Sequence, residues 1–299
     1  MEPESPLLYT LSYPWLPADD HHPVACYFCK GSGETHEAAH FLLNGERYAV
    51  IECLKDDLMY LSPQPGSRYL KALYSYPTYY EGSDDMYGMT VDDEKSRTIA
   101  AIRIKEALAH HPAQGAFLEL GCAYGHTLEA ARAAGFNPVT GIEYSKDAVA
   151  RCQAKGLDVR KDSPDEDIAR VVSDASFSVI ALYSVLEHLS DPARFLERVR
   201  PLLDTEGIMI VRVPDTPPDG PRLSLLDHLW HFNARGFSKL AGALGYEVLD
   251  AFPSGTYQGI QHPAESLASR TFILRRAQAD DRRGTRSALR RKAWRARAR

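Results

Sequence analysis

Between Ala116 and Val213 the chain alternates short apolar runs with segments of helical period, and few folds accept that rhythm. Ala116–Gly121 (AFLELG), Pro138–Glu143 (PVTGIE), Leu157–Arg160, Phe177–Tyr183 (FSVIALY) and Gly207–Val213 (GIMIVRV) read as strands. Thr127–Ala134 and Lys146–Lys155 read as helices between them. Asp191 and Pro192 offer an N-cap and a first-turn proline to a helix running through Leu203. Pro214 should stop the fifth strand; a helix Arg235–Leu244 ending at Gly245, a strand Tyr246–Phe252 and a last strand Leu267–Leu274 complete the pattern. The unbroken apolar run FSVIALY marks a strand covered on both faces. The expectation is an α/β fold, a mostly parallel sheet with helices on both faces. Three regions separate by texture: residues 1–95, rich in Cys, Tyr and Pro; residues 96–274, carrying the alternation; and an Arg-rich tail, 275–299.

The first strand leads into Glu119-Leu120-Gly121-Cys122-Ala123-Tyr124-Gly125. Glycines at a strand-to-helix turn let a ligand approach the backbone with no Cβ in the way. Glu143 closes the next strand, 22 residues after Gly121. In a doubly wound sheet both features meet the crevice at the carboxyl ends of the strands, where a carboxylate can accept both hydroxyls of a ribose. A dinucleotide fingerprint wants glycine at its first, third and sixth positions; here these are Gly121, Ala123 and His126, so it fails. Glu119 would repel a pyrophosphate but suits the α-ammonium of a methionine. The two acids therefore favour S-adenosyl-L-methionine over NAD.

LELGCAYGHTLEAARAAGF followed by NPVTGIEYS resembles motif I and the next acidic motif of the class I S-adenosylmethionine-dependent methyltransferases. SVIALYSVLEHLSDPARFLERVRPLLDTEGIMIVRVPD resembles their later motifs, and HLWHFNARGFSKLAGALGYEVL their closing helix and strand. The resemblance covers residues 96–274 and implies a Rossmann-like seven-stranded sheet whose last strand is antiparallel. It implies that Glu119, Gly121, Cys122, Ala123 and Gly125 surround the methionine part of the cofactor. Glu143 is then expected to hold the ribose, with Tyr144 and Ser145 beside the adenine and Asp162 near its amino group. Tyr183 completes the expected cofactor set. Ser178 stands where the family usually has Asp and is expected to be structural.

Methyl transfer is an in-line displacement from a sulfonium, and a hydroxyl or carbon acceptor must lose a proton. His188, in Leu186-Glu187-His188 just after the fourth strand, should reach the crevice rim and is the leading candidate base. Helix capping by the same pair is the plainer alternative. His228 and His231 flank Trp230 and are weaker candidates for the acceptor pocket; Trp230 and Phe232 read as core anchors.

Cys26-Tyr27-Phe28-Cys29 forms a C-x₂-C pair, and Cys53 follows after 23 intervening residues. Two such knuckles would make a tetrahedral zinc site. The segment resembles a small zinc-ribbon-like module that precedes some methyltransferase domains of sugar and natural-product pathways. In that module a second cysteine pair precedes a Leu-x-Tyr-x-x-Pro run. Here Cys53-Leu54-Lys55-Asp56 precedes Leu58-Met59-Tyr60-Leu61-Ser62-Pro63, so Asp56 replaces the fourth cysteine, with His36 or His40 as alternatives. The tyrosines of Tyr74-Ser75-Tyr76-Pro77-Thr78-Tyr79-Tyr80 suit a lid over the crevice or a cement between modules.

Net charge is −5, but residues 275–299 contribute +9, leaving −14 on the rest. An acidic body does not resemble a nucleic-acid binder. A small-molecule or glycan acceptor is favoured, for O- or C-methylation; an RNA methyltransferase guided by the tail, or a non-catalytic cofactor-binding partner, is the alternative. The tail can also contact an anionic membrane surface. Residues 1–20 lack the basic start and apolar stretch of a signal peptide, and no apolar run is long enough to span a bilayer, so a cytoplasmic protein with reduced thiols is expected.

Overall fold

The computed structural model describes residues 7–11, 21–74, 93–111, 115–162, 168–172, 175–216, 227–254 and 269–278. The tyrosines beyond Tyr74 and the tail from 279 lie outside the described residues.

The N-terminal part contains strands β1 (Leu7–Leu11), β2 (His21–His22), β3 (Thr35–Leu43), β4 (Glu46–Cys53), β5 (Leu58–Ser62) and β6 (Gln64–Pro65), then helix α1 (Ser67–Tyr74). β3 and β4 form a hairpin because Asn44 and Gly45 both accept the left-handed region, with φ of 51° and 86°. Two consecutive positive φ values match the right-handed twist of the flanking strands, and Asn-Gly is the dipeptide that tolerates them best.

Helix α2 (Asp93–His110) leads into the α/β part: β7 (Phe117–Leu120), α3 (His126–Ala133), β8 (Val139–Glu143), α4 (Lys146–Ala154), β9 (Asp158–Lys161), α5 (Ile168–Val171) and β10 (Phe177–Tyr183). It continues through α6 (Pro192–Val199), β11 (Leu203–Pro214), β12 (Trp230–His231), α7 (Ala234–Ala243), β13 (Tyr246–Ser254) and β14 (Ser269–Arg276). Seven strands form one sheet in the order β13-β14-β11-β10-β7-β8-β9. The links β11-β10-β7-β8-β9 are parallel, and β14 runs antiparallel to both neighbours. The strand order reverses beside β7, so a crevice opens where β7, β8 and β10 end.

Alternate residues of the central strands feed two cores. Leu118, Leu120, Ile180, Leu182, Met209 and Val211 pack with Leu196 and Phe237 on one face. Phe117, Val179, Ala181, Ile208 and Ile210 pack with Ile104 and Leu128 on the other. Each such side chain contributes roughly 1.5–3 kcal/mol on leaving water.

Several boundaries differ from the sequence expectation. The helix opened by Asp191 ends at Val199 and tightens into a 3-10 turn, Arg200–Leu202, because Pro201 has no N–H to donate. The fifth strand begins at Leu203 rather than Gly207 and includes Pro214. The last strand is described from Ser269, and its expected start at Leu267 lies outside the described residues. α2 runs without a break across residue 95. Ser178 bonds locally, its hydroxyl donating to the Ala116 carbonyl at 2.9 Å.

The sequence also contained no sign of β12. This pair of residues leaves the α/β part and adds antiparallel to β5, Trp230 opposite Tyr60 and His231 opposite Met59. The N-terminal sheet thus reads β1-β3-β4-β5-β12. Among the described residues no helix is long and apolar enough to cross a membrane.

Candidate active site

The turn after β7 is built on positive φ. Gly121 has φ 74°, Ala123 45° and Gly125 79°. A Cβ on Gly121 would lie 2.5 Å from Val185 Cγ2, and one on Gly125 2.6 Å from Leu157 Cδ1 and 2.9 Å from Cys152 Sγ. Both glycines are therefore required for conformation and for space. The Gly121 and Cys122 N–H groups both donate to the Ile142 carbonyl, at 2.8 and 3.2 Å, which ties the turn to β8.

Glu143, at the end of β8, braces this turn. Its Oε2 accepts from Ala123 N at 2.9 Å and its Oε1 from Ser145 N at 2.8 Å. Ser145 in turn caps α4 by accepting from Ala148 N. The Asp162 N–H donates to the Glu143 carbonyl at 3.1 Å, and Lys161 lies over the Tyr144 ring at 5.6 Å. Gly121–Gly125, Glu143–Ser145 and Asp162 thus follow one another along the carboxyl ends of β7, β8 and β9. Both Glu143 oxygens accept backbone N–H groups, which fixes the carboxylate at the carboxyl end of β8, where a doubly wound sheet places a ribose.

Glu119 and Tyr183 are placed differently. Alternation along β7 and β10 turns both toward α2, where Arg103 meets them. The Arg103 Nη1 lies 3.7 Å from Glu119 Oε1 and donates to Thr127 Oγ1 at 3.1 Å; its guanidinium sits 4.1 Å over the Tyr183 ring. Arg212 stands 5.3 Å from the same ring and donates to Glu106 Oε2 at 2.6 Å. Burial raises the Glu119 carboxyl to about 7, against the opposing pull of Arg103. Glu119 Oε2 and the Tyr183 hydroxyl have no hydrogen-bond partner among the described residues. Nothing in the motif marks Arg103, which lies outside it on α2.

A 3-10 turn, Leu186–His188, follows β10 and carries the second group. Glu187 is 1% exposed, and neither of its carboxylate oxygens has a hydrogen-bond partner among the described residues. Burial raises it to about 7, opposed by His188. His188 Nδ1 lies 2.8 Å from the Asp227 carbonyl and 3.4 Å from Asp227 Oδ2, so Nδ1 carries the proton and donates to them. The other nitrogen, Nε2, lies 3.9 Å from Glu187 Oε1. The His228 ring meets His188 edge-on at 4.9 Å between centroids, and burial holds its pKa far below the usual histidine range. The segment is clamped: Leu229 N donates to the Glu187 carbonyl at 2.8 Å, and Trp230 Nε1 to the Leu189 carbonyl at 3.0 Å. Trp230 and Phe232 are both buried core residues. His231 is buried on β12 with its pKa pushed down to about 4 and stands outside the Glu187–His188–His228 cluster.

A family model described as a methyltransferase domain matches residues 93–251, more than half of the chain. The chain belongs to this methyltransferase family. A Mycolicibacterium smegmatis protein named "probable S-adenosylmethionine-dependent methyltransferase" is 31% identical over 163 residues, which is 52% of this chain and 60% of that protein. Among solved structures, a Burkholderia thailandensis 1,6-didemethyltoxoflavin-N1-methyltransferase with bound S-adenosylhomocysteine superimposes with a TM-score of 0.55 at 14% identity, covering 87% of this chain and 100% of that one. A Leishmania major SAM-dependent methyltransferase gives 0.50 at 14% identity, over 69% and 81%. The shared fold is the class I, Rossmann-like one.

Ahead of the methyltransferase domain, Cys26, Cys29, Cys53 and Asp56 converge. Cys29 Sγ lies 3.7 Å from Cys53 Sγ, and Asp56 Oδ2 lies 3.4 Å from Cys26 Sγ and 3.6 Å from Cys53 Sγ. Tetrahedral zinc, with bonds near 2.3 Å to sulfur and 2.0 Å to oxygen, separates two sulfurs by about 3.8 Å and sulfur from oxygen by about 3.5 Å. The donor set and its spacing therefore fit zinc. His36 is exposed on β3, and His40 faces Glu37 at 3.8 Å, so neither joins the cluster. The second Asp56 oxygen is an ion-pair partner of Lys239 on α7. Against burial, which acts in the opposite direction, Lys239 holds the Asp56 carboxyl below its usual range.

Proposed function

We propose that the chain is an S-adenosyl-L-methionine-dependent methyltransferase acting on a small-molecule or glycan acceptor, with transfer to oxygen or carbon. The observation that carries it is the Glu143 carboxylate, buried at the end of β8 and braced by Ala123 N and Ser145 N against the positive-φ glycine turn. In this reading Gly121–Gly125 receive the methionine part, Glu143 the ribose, and Tyr144, Ser145 and Asp162 the adenine. Glu119 and Tyr183 reach the cofactor through their unpartnered atoms. The cofactor supplies the electrophilic methyl; the protein positions it and excludes water. Glu187, His188 and His228 form the acceptor end, where His188 activates the incoming group. A net charge of −14 outside the tail supports a neutral or cationic small acceptor over a nucleic acid.

Calorimetry tests the cofactor assignment. Glu143→Ala removes both ribose acceptors and the brace on the turn, so S-adenosylhomocysteine affinity is expected to fall at least roughly tenfold, the worth of one or two hydrogen bonds to a charged group. Unchanged affinity removes Glu143 from the site. Transfer of a labelled methyl group to separated small-molecule, glycan and RNA fractions tests the acceptor class.

We further propose one zinc per chain, held by Cys26, Cys29, Cys53 and Asp56 as a closed structural site. Protein purified without chelator is expected to contain one equivalent of zinc, and Cys26→Ser to contain far less. Natively folded wild type with no zinc overturns this assignment.

A further inference from the structure

We infer that Glu187, His188 and His228 together hold a divalent cation, and that this cation receives a hydroxyl of the acceptor. The inference rests on the acceptor-end reading above and specifies how that end works.

Three features of the cluster point to a cation. The first is Glu187. A carboxylate at 1% exposure with no hydrogen bond to either oxygen is an arrangement that folded chains relieve by pairing or by a metal. The charged groups that act on it are the His188 imidazole and the buried Asp227 carboxylate, whose like charge adds to the need for a cation. Glu187, His188 and His228 each offer one ligand-type atom, all within 4.8 Å of one another.

The second is the orientation of His188. Its Nδ1 is held by the carbonyl of Asp227 at 2.8 Å, with the Asp227 carboxylate at 3.4 Å. That outer partner fixes the tautomer and aims the Nε2 lone pair toward Glu187, the arrangement that metal-bound histidines use to set ring orientation and basicity. His228 comes from the next residue of the same clamped segment, so its ring is positioned by the Leu229–Glu187 and Trp230–Leu189 hydrogen bonds rather than by a mobile loop.

The third is the ligand count. The cysteine cluster presents four donors in a closed tetrahedron, whereas this cluster presents two imidazoles and one carboxylate. Three protein ligands leave positions open for exogenous oxygen, which distinguishes catalytic from structural metal sites. A cation about 2.1 Å from each ligand spaces them at roughly 3–3.4 Å. The 3.9 Å from His188 Nε2 to Glu187 Oε1 therefore closes by about 0.5–0.9 Å on binding, and ligand separations within the 4.8 Å span of the cluster close further, through rotation of the Glu187 carboxylate and the His228 ring. His188 is the part that solvent reaches, at 17% side-chain exposure, so the open positions face the crevice.

A hydroxyl bound there is polarised and gives its proton to water. Its oxygen forms the new bond to the methyl carbon as the C–S bond of the sulfonium breaks, with the electron pair remaining on sulfur.

Mn²⁺ is the chosen probe, because imidazole and carboxylate accept it while a thiolate-rich site disfavours it. Titration of the full chain with Mn²⁺, read by loss of the aqueous-ion EPR signal, is expected to show one site per chain. Glu187→Gln and His228→Gln are each expected to weaken it by 10-fold or more, and Gly242→Ala, where a Cβ meets open space, to leave it intact. Glu187→Gln removes a buried charge, so without Mn²⁺ its melting temperature should not fall below wild type; added Mn²⁺ should raise the melting temperature of wild type alone. Wild type that leaves millimolar Mn²⁺ unbound, or a Glu187→Gln variant that binds equally well, overturns the inference. Cofactor calorimetry on the same samples separates the two readings. Intact S-adenosylhomocysteine binding without Mn²⁺ binding leaves the methyltransferase reading in place, with His188 taking the proton directly. Absent cofactor binding in wild type fails that reading itself.

Discussion

His188→Ala is expected to lower methyl-transfer turnover by about 10²–10⁴-fold, while affinity for S-adenosylhomocysteine changes little. The expectation follows from position. His188 stands one short turn beyond β10, while the bracing hydrogen bonds of the cofactor turn belong to Ala123 in the turn after β7, Glu143 at the end of β8 and Ser145 at the N-cap of α4. Loss of the imidazole thus removes acceptor activation and leaves the cofactor half intact. His188→Gln tests the chemistry further. An amide can replace the hydrogen bond to the Asp227 carbonyl but brings no imidazole lone pair toward Glu187, so it should be as impaired as alanine. The measurement is steady-state kinetics with calorimetry on the same preparations. Wild-type turnover in both variants makes His188 a structural residue, and a fall in cofactor affinity equal to the fall in rate moves it to the cofactor side.

Gly236→Ala is expected to destabilise the protein by about 3 kcal/mol, at or above the upper end of ordinary overpacking. Asn233 caps α7 by accepting from Gly236 N at 2.7 Å, and its amide donates to the Asp57 carbonyl at 3.2 Å. The loop between β4 and β5 therefore sits directly on the first turn of the helix. A Cβ on Gly236 would lie 2.1 Å from the Asp57 carbonyl oxygen and 3.0 Å from its carbon. These are backbone atoms, so no rotamer change relieves the clash. The loop must lift, taking with it Asp56 and its contacts to Cys26, Cys53 and Lys239. Gly242, on the same helix, is the control. A Cβ there meets nothing within 4 Å, and alanine should stabilise by roughly 0.5–1 kcal/mol through helix propensity. Urea unfolding of the two variants decides it. Equal stabilities would mean that the loop carrying Asp56 does not depend on α7.

Much of the fold was legible because its signals are local. Strand and helix periods, the caps at Asp191 and Gly245, and the failed dinucleotide fingerprint all lie within a few residues of one another. The cysteine pair, Cys53 and Asp56 were legible for a similar reason: ligand chemistry at short spacing is a strong constraint. The boundary near Pro201 was misjudged because helical periodicity continued into residues where a missing N–H ends the α-helix. Glu119 illustrates a different limit. Its residue type and place in the motif point to the methionine ammonium; what they do not announce is Arg103, a cation that the two-residue period of β7 brings against it from α2, a segment with no motif. Sequence order does not announce which motif residue a helix side chain 16 positions upstream will meet.

The sequence by itself determined the α/β alternation, the glycine turn, the acid at the end of the second strand and the cysteine knuckle, since each depends on backbone sterics or ligand chemistry within a short window. Only the tertiary structure decided that Glu187, His188 and His228 share one buried cluster. His188 and His228 are 40 positions apart, and what unites them is the antiparallel addition of Trp230–His231 to β5 together with the Leu229–Glu187 hydrogen bond. Those bonds are made by backbone groups that every residue carries, so no side-chain pattern announces them. They form because a buried strand edge must find a partner for its N–H and C=O groups, and the N-terminal sheet provides it.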